Sequence, residues 1–146
     1  MPAALLLCLV VGISDGDTLK ARCGEPGTYE QVTIRLAEID APEKGQAFGQ
    51  RSKEALSALC FGLQANVRPV TRDRYGRTVA RVECRGLDAS AEQIRQGMAW
   101  RFVRYSTDAA MLPLEDAARS AGAGLWADAA PVPPWEWRKT RSKTPE

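Results

Sequence analysis

Arg35-Leu36-Ala37-Glu38-Ile39-Asp40-Ala41-Pro42-Glu43 is the stretch on which the reading of this chain turns. Val32, Ile34 and Leu36 alternate with Thr33, Arg35 and Ala37, and that period of two marks a strand running from about Glu30 to Ile39. Pro42 stops it, because proline donates no amide hydrogen and pushes Ala41 towards an extended conformation. Asp40 and Glu43 are thereby set on a kinked segment just past a sheet or barrel edge. Two carboxylates so spaced, with an arginine upstream, can hold a hard cation and grip a phosphate. Strand parity turns Arg35 away from Asp40, and only a bend or bulge near Ile39 would bring the two together.

Before this stretch, Leu9 to Ser14 and Thr18 to Cys23 read as two strands joined by a tight Asp15-Gly16-Asp17 turn. Gly24 to Gly27 makes the next turn. After it, a glycine-containing loop from Lys44 to Gly49 has little apolar surface to anchor it. Gln50 to Phe61 then changes to a helical period, with Ala55, Leu56, Leu59 and Cys60 on one face and Gly62 as a stop. Asn66 to Thr71 and Thr78 to Cys84 form a second hairpin around Arg72 to Arg77. Ala89 to Gln96 is a short helix ended by Gly97, Met98 to Tyr105 alternates aromatic with basic, and a last helix follows Pro113 from Leu114 to Ala121. Trp135 and Trp137 predict that the Pro-rich, then charged tail from Pro131 packs back on the body. This order predicts an α+β chain: an OB-type five-stranded β-barrel with about three helices. Residues 1–8 are read as an apolar segment left from an export signal, 9–128 as the domain, and 129–146 as the tail.

A chain of 146 residues makes one domain with a real core. Its net charge of +2 creates no global field calling for a polyanion, so any nucleic-acid role must come from local arginine clusters. There is no histidine, which excludes imidazole bases, Ser-His-Asp triads and histidine metal sites together. Nothing approaches the ~20 apolar residues of a membrane-spanning helix. Cys8, Cys23, Cys60 and Cys84 lack the Cys-x-x-Cys spacing of zinc sites. Cys8 and Cys23 flank the turn at Gly16 almost symmetrically, so a hairpin would oppose them and close a loop worth ~3 kcal/mol in the chain-entropy model. Cys60 and Cys84 are left to pair, and two disulfides imply a periplasmic or secreted protein. Four reduced, buried thiols in a cytosolic protein are the other reading.

Calcium and magnesium take oxygen ligands from carboxylates, backbone carbonyls and water. Asp17 in the hairpin turn, Asp40 and the carbonyl of Ala41 are candidates for that set, and Glu43 for a base that takes a proton from water. Arg35 and Arg77 are candidates to grip the phosphate. Taken singly each has a bland reading: Asp-Gly is above all a turn former, and Arg77 after Tyr75-Gly76 is a solvated hairpin arginine. Together, Asp15-Gly16-Asp17-Thr18, the Arg35 to Glu43 stretch, Asp73-Arg74-Tyr75-Gly76-Arg77 and Arg95-Gln96-Gly97-Met98-Ala99 resemble the staphylococcal nuclease (thermonuclease) family, in its order and over roughly Val10 to Trp126.

The resemblance implies an OB-fold, calcium-dependent endonuclease that hydrolyses DNA and RNA, preferably single-stranded, and leaves 3′-phosphate products. It puts Asp17, Asp40 and the Ala41 carbonyl on Ca2+. It puts Arg35, Glu43 and Arg77 at the catalytic positions, and Arg74, Tyr75 and Tyr105 against the nucleotide. A monomer with no membrane partner is expected. The chain departs from the family pattern at Ala41, where a threonine is usual, and at Val103, where a tyrosine beside the nucleotide is expected. The competing reading from another class is a catalytically silent OB-fold module that binds nucleic acid or protein. Such modules lose the acidic ligands or an arginine, whereas Asp17, Asp40, Glu43, Arg35 and Arg77 are all present here.

Overall fold

A computed structural model describes residues 5–143 of the chain. β1 (Leu6–Asp15) and β2 (Thr18–Cys23) form the first hairpin, and β3 (Glu30–Leu36) pairs antiparallel with β2 from Thr18↔Arg35 to Cys23↔Glu30. β1 starts three residues before the strand expected from Leu9, since Leu6 to Leu9 pair with the strand that follows the first helix. Residues 1–4 of the apolar segment lie outside the described residues. α1 (Gly49–Cys60) packs against β1 and leads into β5 (Gln64–Arg72) and β6 (Thr78–Cys84). The sheet order β3-β2-β1-β5-β6 closes through a parallel β3–β6 pairing, Ile34↔Thr78 to Leu36↔Ala80. That closure makes the five-stranded barrel and removes the free edges that unpaired strands would expose.

The third strand is not continuous to Ile39, as the alternation suggested. It ends at Leu36, and Glu38 takes a left-handed φ of 78°. Ile39–Asp40 is then a separate strand, β4, paired with β8 (Trp100–Arg101). This turn removes the parity objection to Arg35, because two residues of turn re-aim the chain between it and Asp40. The Glu38 carboxylate accepts from the Ser106 hydroxyl at 2.7 Å, from the Asp108 amide at 2.9 Å and from the Thr107 amide at 3.0 Å. The turn is thus tied to the chain following β8. Of the aromatic and basic run from Met98, only Trp100 and Arg101 are strand.

β7 (Leu87–Asp88) leads into α2 (Ala89–Arg95), whose cap is the Asp88 carboxylate accepting from Ala91 N–H at 3.0 Å. α3 (Met111–Ala121) starts three residues earlier than Leu114. Pro113 lies inside its first turn, where a missing N–H leaves no helical bond unmade. A 3₁₀ turn at Gly124–Ala127 follows. The tail holds a further helix, α4 (Pro134–Lys143), where the composition suggested only a chain packed back on the body. Its sequence cues are faint: proline at the first helical position and Glu136 in the first turn, with slight apolar periodicity.

Val10, Leu19, Ile34, Leu36, Leu56, Val67, Val82 and Ile94 fill the barrel and seat α1 and α2 against it. Cys8–Cys23 bridges opposed residues of β1 and β2, as their spacing about Gly16 suggested, and Cys60–Cys84, the remaining pair, ties the end of α1 to β6. Among the described residues, no helix is long and apolar enough to cross a membrane.

Candidate active site

The Asp15-Gly16-Asp17 turn is held from below by polar groups the sequence did not single out. Buried Gln93 of α2 donates from Nε2 to the Gly16 carbonyl at 2.8 Å and to the Ser52 carbonyl at 3.0 Å. Gly16 is required there by space: a Cβ would lie 1.7 Å from Ser52 Oγ. Asp17 is buried, with its Oδ1 accepting from the Thr18 hydroxyl at 2.9 Å and Oδ2 from the Ala41 amide at 2.8 Å. The hairpin turn and the segment after β4 are therefore locked together through one carboxylate.

Arg35 closes the arrangement. Its Nη1 donates to the Leu36 and Ile39 carbonyls at 2.8 and 2.9 Å, which wraps the guanidinium inside the Glu38 turn. Its Nη2 then lies 3.4 Å from Asp17 Oδ2 and 3.4 Å from Asp40 Oδ1. Asp40 is 1% exposed. Glu43 sits on a loop held by polar bonds where no apolar anchor was found. Its amide donates to Gln46 Oε1 at 2.9 Å, its carbonyl accepts from the Gln46 amide at 2.9 Å, and a Cβ on Gly49 would lie 2.1 Å from that carbonyl.

A residue no sequence motif indicated completes the cluster. Arg138 of α4 places Nη2 2.6 Å from Asp40 Oδ2 and Nη1 3.2 Å from Asp40 Oδ1, and the same Nη1 lies 2.5 Å from Glu43 Oε1. Nothing local could have flagged it, because its contacts lie 98 and 95 residues away in the chain.

The electrostatics are those of crowded anions. Burial, and then the Asp17 charge, push the Asp15 carboxyl up to about 7. Burial raises Asp40 as well, against the opposing pull of Arg138. For Asp17 burial also works upward, but the Arg35 guanidinium and the hydrogen bonds it accepts outweigh it and hold the carboxyl low. Among the described residues, Arg35 meets Asp17 and Asp40, Arg138 meets Asp40 and Glu43, and Asp15 adds a further carboxyl beside Asp17. Among the described residues no group of three or more acidic, His or Cys side chains is arranged to hold a metal ion. An ion at this place would take Asp17 and Asp40, with backbone carbonyl and water oxygens completing its shell, a donor set that suits calcium or magnesium.

The other candidates stand on the β5–β6 hairpin and the loop after β8. Arg77 donates from Nε to Asp73 Oδ2 at 2.6 Å and lies over the Tyr75 ring at 5.5 Å. Arg74 donates to the Tyr75 hydroxyl at 2.8 Å. Arg77 and Tyr75 line an open cleft of about 290 Å³ with Arg72, Glu30, Gln31, Val32 and Thr33. Unlike Arg35, Arg77 pairs with its own hairpin and not with the carboxylate cluster. The parallel β3–β6 pairing nonetheless sets Thr78 beside Ile34, next to Arg35. Tyr75 and Tyr105 are 67% and 61% exposed, with Arg74 and Arg77 over the Tyr75 ring and Arg104 over the Tyr105 ring, and Val103 is 60% exposed. Tyr105 stands edge-on to Phe102 at 5.0 Å.

The family model described as staphylococcal nuclease homologue matches residues 33–128. The chain is 46% identical over 132 residues to an uncharacterized endonuclease of Haemophilus influenzae, covering 90% of this chain and 72% of that protein. It is 40% identical over 130 residues to an uncharacterized endonuclease of Escherichia coli O157:H7, covering 88% and 82%. To a micrococcal nuclease of Shigella flexneri it is 38% identical over 141 residues, covering 89% and 79%.

Proposed function

The chain belongs to the staphylococcal nuclease family, and from that premise we propose that it is a nuclease, dependent on calcium, that hydrolyses phosphodiester bonds of DNA and RNA. The observation that carries this reading is the convergence of Asp17 and Asp40 on one nitrogen of Arg35, at 3.4 Å each, from the first hairpin and from β4.

Asp17, Asp40 and the Ala41 carbonyl would hold Ca2+, which when bound neutralises charge on the phosphoryl oxygens. Arg35, held in place by the Leu36 and Ile39 carbonyls, would grip the phosphate with Nη2 as Asp17 and Asp40 turn to the cation. Arg77, on exchanging Asp73 for substrate, supplies the second guanidinium. Glu43 takes the proton of the attacking water as its oxygen adds to phosphorus. The P–O5′ bond then breaks, the 5′ oxygen takes a proton from solvent, and the phosphate stays on the 3′ carbon's oxygen. A single base contributes only ~10²–10⁴-fold, while phosphodiester cleavage demands a barrier reduction of up to ~20 kcal/mol, so positioned positive charge carries most of the rate. Arg74, Tyr75 and Tyr105 would receive bases. Their exposure, with Val103 replacing one ring, supports loose binding of unpaired strands, each stacked base contributing ~1–3 kcal/mol.

The two disulfides support an oxidising location, periplasmic or secreted, and a monomer is the working state. The test is incubation of the whole chain with single-stranded DNA in calcium and in excess chelator. Degradation in calcium alone is expected. Binding without cleavage in both would overturn the enzyme in favour of a silent OB-fold module.

A further inference from the structure

We propose that Arg138 is a built-in competitor of the divalent cation, a C-terminal plug that masks a metal ligand and the base until the cation displaces it; this rests on the metal-dependent reading of the same site. α4 lies beyond the residues matched by the family model. The helix is anchored independently of its arginine. Trp135 stacks on Phe102 with centroids 5.5 Å apart and planes 5° apart, and meets Trp100 edge-on at 5.7 Å. The chain just before α4 is pinned where Gln46 Nε2 donates to the Val132 carbonyl at 2.8 Å. Arg138 is one helical turn on from Trp135, so the aromatic anchor delivers its side chain to the carboxylates.

There the guanidinium engages both oxygens of Asp40 and one of Glu43. A planar fork on a carboxylate is among the stronger pairings available to a side chain, and Asp40 is almost wholly buried. The lone pairs it uses on Asp40 are those a cation would need. Arg138 itself is 41% exposed, and its long stem can swing into solvent without disturbing Trp135. Asp40 keeps Arg35 at 3.4 Å when it leaves. One guanidinium bridges both carboxylates, so a single displacement frees the ligand and the base together. Cation loading and release of Glu43 are thereby coupled, and the apparent cation affinity is reduced by the fraction of molecules in which the plug is seated.

The test uses the whole chain and calcium alone, with titration calorimetry for affinity and thermal unfolding as a second readout. Arg138→Gln should bind calcium about five- to tenfold more tightly than the wild type, with Arg138→Lys, which keeps charge but loses the fork, in between. Without calcium, Arg138→Gln should melt below wild type, and saturating calcium should narrow that gap, because the loaded wild type no longer uses the pair. A merely structural arginine would leave the gap the same with and without calcium. Unchanged or weaker calcium binding in the variants, or a calcium-independent gap, overturns the plug. If both chains still cleave DNA with equal calcium affinity, the plug alone falls. If neither chain binds calcium, the metal-dependent reading falls with it. Arg138→Lys carries the comparison should the glutamine variant not fold.

Discussion

At the scale of single residues, the site separates groups that act by charge from groups that act by shape. Arg35 makes four directed contacts at once, to the Leu36 and Ile39 carbonyls and to Asp17 and Asp40. Lysine carries the same charge but offers a compact ammonium, which cannot span two carbonyls and two carboxylates. Arg35→Lys and Arg77→Lys should therefore lower kcat/KM at least as far as Glu43→Gln, by ~10²-fold or more. Lysine variants retaining near wild-type steady-state rates would contradict the primacy of the guanidiniums. Asp17, Asp40, Glu43 and Arg35 could be named as candidates from residue type and the family resemblance taken together; Gln93 and Ser52 could not. A glutamine in a short helix and a serine in an amphipathic one carry no local sign that they support a turn far away in sequence.

At the scale of elements, the turn between β3 and β4 decides whether the arginine reaches the carboxylates. Alternation alone predicted one strand to Ile39, because the period of two cannot register a left-handed residue that is not glycine. Glu38 holds that conformation while its carboxylate accepts from Ser106, Thr107 and Asp108. Glu38→Ala should destabilise the chain by about 1.5–3 kcal/mol through loss of hydrogen bonds to a charged group. Glu38→Gly loses the same bonds but relieves the left-handed strain, and should be more stable than the alanine variant by about 1 kcal/mol. Urea unfolding of the pair checks this, and an alanine variant as stable as the glycine one would refute the strain account. α4 was missed for a different reason. Its hydrophobic payload is concentrated in two tryptophans, which identified a packed tail without identifying its conformation.

At the scale of the whole molecule, closure and cross-linking hold the hairpin turn, β4 and the Glu43 loop in one mutual arrangement. Cys8–Cys23 and Cys60–Cys84 span 15 and 24 residues. Removing either pair as a double serine variant should cost roughly 3 kcal/mol in the chain-entropy model. Denaturant midpoints of the variants should fall while the proposed calcium requirement of DNA cleavage stays the same, since neither bridge involves the carboxylates. Midpoints equal to that of the oxidised wild type would remove the bridges from the account of stability. The succession of the barrel strands along the chain and the first cysteine pairing were legible in sequence alone, because they rest on local rules of alternation, turn formers and the symmetry of a hairpin about Gly16. The acidic and basic candidates came from residue type together with a family resemblance. Only the tertiary structure decided that Arg35 turns inward, that Arg77 rests on Asp73, and that Arg138 covers Asp40 and Glu43. Those outcomes depend on contacts between segments far apart in the chain, and hydrophobic periodicity says which face is buried without saying which distant charge will meet it.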